Sequence, residues 1–359
     1  MVNIKDVAAD AGVARSTVSY VLSGKKNLSA STKERVMASV AKLGYRPDPM
    51  ARALALKRTN IIGFLAAVDT RSQEEDIEVF MRFVRAAMYA ARARGFDVLI
   101  MGRGEDELRG DILADALVVM DVQLNDPRLP VLGAVGLPTV LIGIPGETTP
   151  FGAVDLDFEQ AGRVAASHLA ELGHRQIAIQ GPDEGAYERG LNYALRFRSG
   201  FLEECSLRGL RGACLPFNAH DEFAVDDWLR RAREQLPELT AIVGHGPGAL
   251  GPLITHLLAT GVSIPGDCSI MTIAPESVMK TAQIPLTTID LPGGDMVERA
   301  VNRVLDELHG AASGQIELLP AELFDHGSTG PHVPGESGTL FKPSPSTAAK
   351  GVSVTGRTT

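Results

Sequence analysis

Arg15 and Ser16 open a short segment of helical periodicity that runs to Leu22, and Tyr20 follows one turn later. An arginine so placed presents a planar fork of N–H donors that fits guanine O6 and N7 in the major groove. A second arrangement lies far down the chain. Gly246-Pro247-Gly248-Ala249-Leu250-Gly251 follows a strand-like run and opens a helix, formally a G-x-G-x-x-G, and backbone N–H groups at a helix start attract anions. The eight histidines show no H-E-x-x-H or comparable ligand spacing, so no metal site is expected. His220 and His245 are placed at a cleft, whereas His168 and His174 bracket a helix end and read as structural. Cys205, Cys214 and Cys268 are odd in number and read as reduced core thiols. No cofactor is expected.

The elements that position Arg15 follow from spacing. Ile4, Val7, Ala8 and Ala11 recur at helical intervals until Gly12 stops them. A second helix fits Arg15 to Leu22, with Val18, Val21 and Leu22 inward and Gly24 ending it. A third fits Ser31 to Leu43, with Val36, Met37, Val40 and Leu43 inward; Ser31 and Glu34 fit a capping box there, with Ser29 a rival cap. Two short helices joined by a glycine turn and braced by a third make a helix-turn-helix. Its second helix enters the major groove, which gives base readout to Arg15, Ser16 and Tyr20. The bland alternative is a three-helix protein-interaction module. Charge favours DNA: residues 1–60 hold 11 Lys/Arg and 4 Asp/Glu, net +7, while the remainder holds 24 and 40, net −16. An acidic body repels DNA, so only the head should touch it.

The runs Asp6-Val7-Ala8-Ala9-Asp10-Ala11-Gly12-Val13, Ser16-Thr17-Val18-Ser19-Tyr20-Val21-Leu22-Ser23-Gly24, Ser31-Thr32-Lys33-Glu34-Arg35-Val36 and Leu43-Gly44-Tyr45-Arg46-Pro47 closely resemble the lactose-repressor (LacI-type) family of bacterial transcription regulators. Ala14 departs from the family's usual serine cap, which weakens that cap by roughly 1 kcal/mol. The resemblance implies phosphate contacts from Thr17, Ser19, Ser29 and Thr32. It also implies a hinge over 47–59. There Asp48 is an N-cap and Pro49 the first helical residue of a segment only about two turns long, which is marginal alone in water. By resemblance the hinge pairs with its dimer mate in the minor groove. Ala51 permits close approach, Arg52 lies alongside, and Leu54 wedges a base step apart. A plain helical linker is the alternative.

From Asn60 onward, strand-like runs and helices alternate, which implies parallel sheets covered on both faces. The chain of 359 residues, 45% hydrophobic, is too long for one ordinary domain. No run approaches a membrane span, and the polar start, Met1 to Asp6, is no signal peptide, so a cytoplasmic protein is expected. The expected organisation is an all-α helix-turn-helix head over 2–46, the hinge, an α/β core of two doubly wound subdomains over 60–330, and a disordered Pro/Gly/Ser/Thr-rich tail over 331–359. Gly173-His174-Arg175-Gln176-Ile177-Ala178 and Pro285-Leu286-Thr287-Thr288-Ile289 also match the family. They imply a periplasmic-binding-protein-like core with crossings near 156 and 291, and a homodimer.

The effector pocket departs from the family's sugar-binding pattern. The usual Asn-Asp pair is His245-Gly246, and the usual Asp-Asp pair is Ala274-Pro275. The pocket arginine normally stands three residues before a Gly-Phe pair; here that position is Phe197, flanked by Arg196 and Arg198. Loss of hydroxyl acceptors with retention of arginines disfavours a plain neutral sugar. Two readings stay open: 246–251 is a merely compact turn, or a carbohydrate-like effector carries a phosphate or carboxylate held by Arg196 or Arg198 and by the start of that helix. Asp69, in an acidic loop at a strand's carboxyl end, is a further cleft candidate. The reading is therefore a dimeric, effector-responsive repressor acting on a near-palindromic operator, not an enzyme. The alternative of a nicotinamide-dinucleotide oxidoreductase needs an acidic residue about 20 positions beyond the glycine loop, where the next strand ends at Ala274-Pro275. A sugar-transport protein would need export.

Overall fold

The structure is a computed structural model and describes residues 2–23, 28–46, 58–66, 74–102, 107–109, 112–146, 148–218, 221, 223–282, 284–332 and 340. The head has three helices, α1 (Ile4–Ala11), α2 (Arg15–Ser23) and α3 (Ala30–Leu43). Asn3 caps α1 in a reciprocal box with Asp6, and Gly12 ends it in the left-handed conformation. Ser29, not Ser31, caps α3: its hydroxyl accepts from the Thr32 amide at 3.3 Å. Val7, Ala8, Ala11, Val18 and Val36 form a small closed core. Met37, expected inside, is exposed, and Ser39 is buried in the same helix. Ser39 hydrogen-bonds Asp10, whose carboxyl is held below its ordinary range first by Lys42 and then by Ser39.

The body runs β1 (Ile61–Leu65), α4 (Glu74–Ala93), β2 (Asp97–Met101), β3 (Ala116–Val119), α5 (Arg128–Val135), β4 (Thr139–Ile142) and β5 (Gly152–Leu156). It continues with α6 (Phe158–Glu171), β6 (Gln176–Gly181), α7 (Glu184–Glu188), α8 (Asn192–Leu207), β7 (Arg211–Pro216), α9 (Ala224–Gln235), β8 (Ala241–His245) and α10 (Pro247–Ala259). Then come β9 (Ser269–Ala274), α11 (Glu276–Met279), β10 (Thr287–Asp290), α12 (Gly293–Leu308), β11 (Ile316–Leu319) and β12 (Leu323–Phe324).

Two six-stranded sheets share one plan. The first is ordered β2-β1-β3-β4-β5-β11 and the second β7-β6-β8-β9-β10-β12. All pairings are parallel except β10 with β12. Strand order therefore reverses between β1 and β3 and again between β6 and β8, the switch points where open α/β sheets accept ligands. The chain passes between sheets after β5, after β10 and a third time between β11 and β12. The third passage goes beyond the two expected. Its strands are short and partly exposed and lack the buried apolar run that marks the others.

The second subdomain extends to His332, past the expected boundary at 330. The segment after β12 runs beneath the second sheet. Ser328 accepts from Thr287 N at 2.7 Å and donates to Ile270 O at 2.6 Å, and His332 N donates to Leu172 O at 2.7 Å. His174 holds this strap. Its ring nitrogens meet Thr240 Oγ1 at 2.8 Å and Ser269 Oγ at 2.9 Å, and His332 stacks on it at 5.5 Å. Burial pushes the His174 imidazole down to about 4, so it is neutral at neutral pH. Gly173, at φ 94, is required because a Cβ there would lie 2.4 Å from the His332 carbonyl oxygen. His168 meets Thr329 at 2.9 Å, so both expected structural histidines serve the strap. Trp228 is fully buried and donates to Leu215 O at 3.1 Å, fixing α9 to its sheet.

Candidate functional site

On α2, Val18 is fully buried while Arg15, Ser16 and Tyr20 are exposed on the opposite side. The helical period alone forces this division. Thr17 and Ser19 flank the exposed strip and are half-buried. Ser29 is exposed and Thr32 half-buried, with their hydroxyls 2.8 Å apart at the start of α3. The helix start thus offers backbone donors and hydroxyls side by side, a surface suited to phosphate. Ala14 supplies only backbone: its carbonyl accepts from Thr17 and Val18 N–H at 2.9 and 3.2 Å. Ala51, Arg52 and Leu54 of the hinge, and Asp69 and His220 of the cleft, lie outside the described residues.

The remaining cleft candidates meet at the carboxyl ends of the strands. Arg196 of α8 is not a free cation. Its guanidinium lies 2.6 Å from Asp155 on β5 and 3.7 Å from Asp157, the N-cap of α6. Burial pushes the Asp155 carboxyl up to about 7, with Arg196 pulling the other way. The pair joins the first sheet to the second subdomain. Arg198 instead lies over the Tyr187 ring at 4.7 Å. Arg196 is thus matched by carboxylates, whereas the contact of Arg198 is with a neutral ring.

Other bonds draw the same two regions together. Leu124 N donates to Gly190 O at 2.6 Å, Asn192 N to Val122 O at 3.4 Å, and the Asn192 amide to Ile144 O. Gln123 and Leu191 form an isolated antiparallel bridge. Loops following β3 and β4 are thereby clasped to the segment between α7 and α8.

His245 ends β8, and its ring lies among three aromatic rings: Phe158 at 6.4 Å, Tyr193 at 5.1 Å and Phe197 edge-on at 5.1 Å. Phe197, at the position of the family's arginine, is fully buried in this cluster. Burial pushes the His245 imidazole down to about 4, so it acts as a neutral ring, and its Nδ1 is buried without a partner. Gly246, at φ 97, caps α10 without a side-chain hydrogen bond. Ala274 is buried, and its carbonyl accepts from Leu291 N at 3.1 Å. Sequence reading missed Asp155, Asp157, Phe158, Tyr193 and Gln180. Only Gln180 left a local signal, as a polar residue closing the apolar run Ile177-Ala178-Ile179.

Among the described residues, no group of three or more His, Cys, Asp or Glu is arranged to hold a metal ion, and no helix is long and apolar enough to cross a membrane. Comparisons with known proteins agree with this architecture. Residues 3–48 match the bacterial regulatory proteins of the lacI family, and residues 166–329 match the periplasmic binding protein-like domain. The HTH-type transcriptional regulator AglR of Rhizobium meliloti is 30% identical over 363 residues, 96% of this chain and 98% of that protein. The HTH-type transcriptional regulator CelR of Thermobifida fusca is 28% identical over 333 residues, 87% of this chain and 94% of that protein. In fold, the chain is similar to the lac repressor dimer bound to operator and the anti-inducer ONPF, with TM-score 0.77 and 22% identity, over 92% of this chain and 99% of that one. It is also similar to a CelR–cellobiose complex, with TM-score 0.63 and 22% identity, over 91% of this chain and 100% of that one. These relatives are regulators, which removes the ground for the oxidoreductase reading of the glycine loop. With a match at the head, a match across the second half of the body and a near full-length relative, the chain belongs to the lacI family of bacterial regulatory proteins.

Proposed function

We propose that this chain is a dimeric, effector-responsive repressor that reads a near-palindromic operator through α2. The observation that carries the reading is the division of α2: Val18 closes the head's core while Arg15, Ser16 and Tyr20 stand exposed on a basic module. Arg15 is assigned to a guanine edge, Ser16 and Tyr20 to neighbouring bases, and Thr17, Ser19, Ser29 and Thr32 to phosphates. A head this small binds specifically when two copies engage two half-sites. Helix α4 supports a dimer, because Ile77, Met81, Met88 and Tyr89 leave large apolar groups exposed along it. Acting on chromosomal DNA, the protein would work in the cytoplasm.

In the hinge, Ala51, Arg52 and Leu54 are assigned to the minor groove, with Leu54 as the wedge. Effector binding between the subdomains would alter the clasp at 122–124 and 190–192. That change would shift where the paired hinges start and bias them towards coil. His245, Gly246 and Ala274 are assigned to the effector mouth and Arg196 to the clasp, and a carbohydrate is the effector class. Selection of bound DNA from a random pool, using the full chain, tests the reading. Enrichment of a two-fold sequence is expected; an unenriched pool, or a single unpaired half-site, contradicts it.

A further inference from the structure

The assigned hinge ends at Thr59, where the chain enters the body through a closely bonded junction. The Asp115 carboxylate, just ahead of β3, accepts from Thr59 N at 2.8 Å and Thr59 Oγ1 at 2.9 Å through one oxygen, and from Asn60 N at 2.8 Å through the other. Asn60 is held at a left-handed φ of 55, and its carbonyl accepts from Asp97 N at 2.9 Å at the start of β2. Asp115 N in turn donates to Ile61 O at 2.8 Å. The chain on either side of the hinge's end is therefore pinned to the starts of both strands that flank β1.

Asp115 also stands at one end of a short rigid path. Strand β3 is buried at every position. Only residues 116–121 separate Asp115 from Val122, Gln123 and Leu124, which clasp the second subdomain. Arg128, paired with Asp126 at 2.7 Å, donates to the Met120 and Asp121 carbonyls at 3.0 and 3.1 Å and stiffens that far end. Among the described residues, the two non-glycine residues with a left-handed φ are Asn60 at 55 and Asp121 at 56, one at each end of this path. Such backbone is costly and persists only where its surroundings over-determine it.

We propose that Asp115 is a positioning residue for operator binding: it fixes the point and direction in which the hinge leaves the body, and through β3 it makes that exit follow the clasp between the subdomains. This rests on the reading of the chain as a regulator with a hinge over 47–59. A buried, close-packed strand shifts as a unit and does not stretch, so movement at Val122 to Leu124 moves the carboxylate and the two residues it holds. The carboxylate is needed because it accepts at both oxygens; an amide in its place has one acceptor and sets N–H against N–H at the other. Non-specific binding to phosphates does not need that placement, because it depends on the basic charge of residues 1–60.

The test uses the full chain, the operator enriched from the random pool and a scrambled duplex of the same length. Affinity is read by fluorescence anisotropy, bending by gel phasing and dimerisation by sedimentation, for the native protein, Asp115→Asn and Thr59→Val. Asp115→Asn should bind the operator about tenfold or more weakly and bend it less, while its affinity for the scrambled duplex stays within about twofold and the dimer persists. Thr59→Val loses one of the three contacts. It should weaken operator binding alone by about threefold, and it carries the test if Asp115→Asn does not fold. Asn192→Ala, which removes a bond of the clasp, should change operator affinity in the native background and change it less beside Asp115→Asn or Thr59→Val. Unchanged operator affinity in the folded variants overturns the proposal. So does an equal loss on both duplexes, as a merely structural role would give, or tighter binding to both, as removal of a charge near phosphates would give. No effect of Asn192→Ala, or an effect that simply adds, overturns the link to the clasp. A native chain that enriches no operator counts against the regulator reading, whereas native operator binding and bending that the variants leave intact count against this inference alone.

Discussion

The Asp155 carboxylate and the Arg196 guanidinium, 2.6 Å apart and largely buried, tie the end of β5 to α8 across the two halves of the body. Removing one partner leaves the other charge buried and alone. Asp155→Ala should therefore cost about 3 to 5 kcal/mol of stability, while Asp155→Leu with Arg196→Leu should cost much less than the sum of the single changes. Urea unfolding of the four proteins measures this; additive losses would mean that the pair is not coupled.

Acid should weaken the fold through its buried imidazoles. His174 and His245 are held at about 4 by burial, against an ordinary value of 6.5. Between those values the unfolded chain binds more protons than the folded one, so stability is full above 6.5 and falls as pH drops towards 4. Each ring should remove roughly 2 kcal/mol between about pH 7 and about pH 5. The Asp155 carboxyl, raised to about 7 by burial, opposes the two rings over this range, so the native slope is smaller than their sum; His174→Phe should be less stable at neutral pH and lose less stability on acidification than the native protein. An acid-induced loss in His174→Phe equal to that of the native protein would contradict the burial of the His174 ring.

The strap beneath the second sheet depends on a missing side chain. Gly173→Ala places a methyl 2.4 Å from the His332 oxygen at a φ of 94 that alanine disfavours. A loss of roughly 1 to 3 kcal/mol is expected in thermal unfolding. Ending the chain at Gly330 should itself destabilise the protein and shrink the additional cost of Gly173→Ala, because the clash is then gone. An undiminished cost would assign the whole effect to backbone strain.

The head was legible because its signals are local. Gly12, the apolar spacing around Val18 and the charge of residues 1–60 all lie within a few turns of Arg15. The body's alternation was legible too, but its long-range pairings were not. Asp155 and Arg196 are 41 residues apart, and nothing near either announces the other. Spacing alone therefore marks Arg196 only as an effector candidate and does not show its pairing with Asp155. Strand β11 carries no apolar signal because it is largely exposed, and in β7 Gly212 and Pro216 dilute the apolar run. Ser29 outcompeted Ser31 as a cap through the choice of starting turn, which spacing alone does not settle.

Arg15 on α2 is assigned to one base edge in each half-site. The most direct measurement is a base-pair substitution scan of the selected operator with the native chain and with Arg15→Ala. Arg15→Ala should lose about 1 to 3 kcal/mol of binding and lose discrimination at one base pair in each half-site, at mirror-related positions, while the other positions keep theirs. Unchanged discrimination at every position would contradict it.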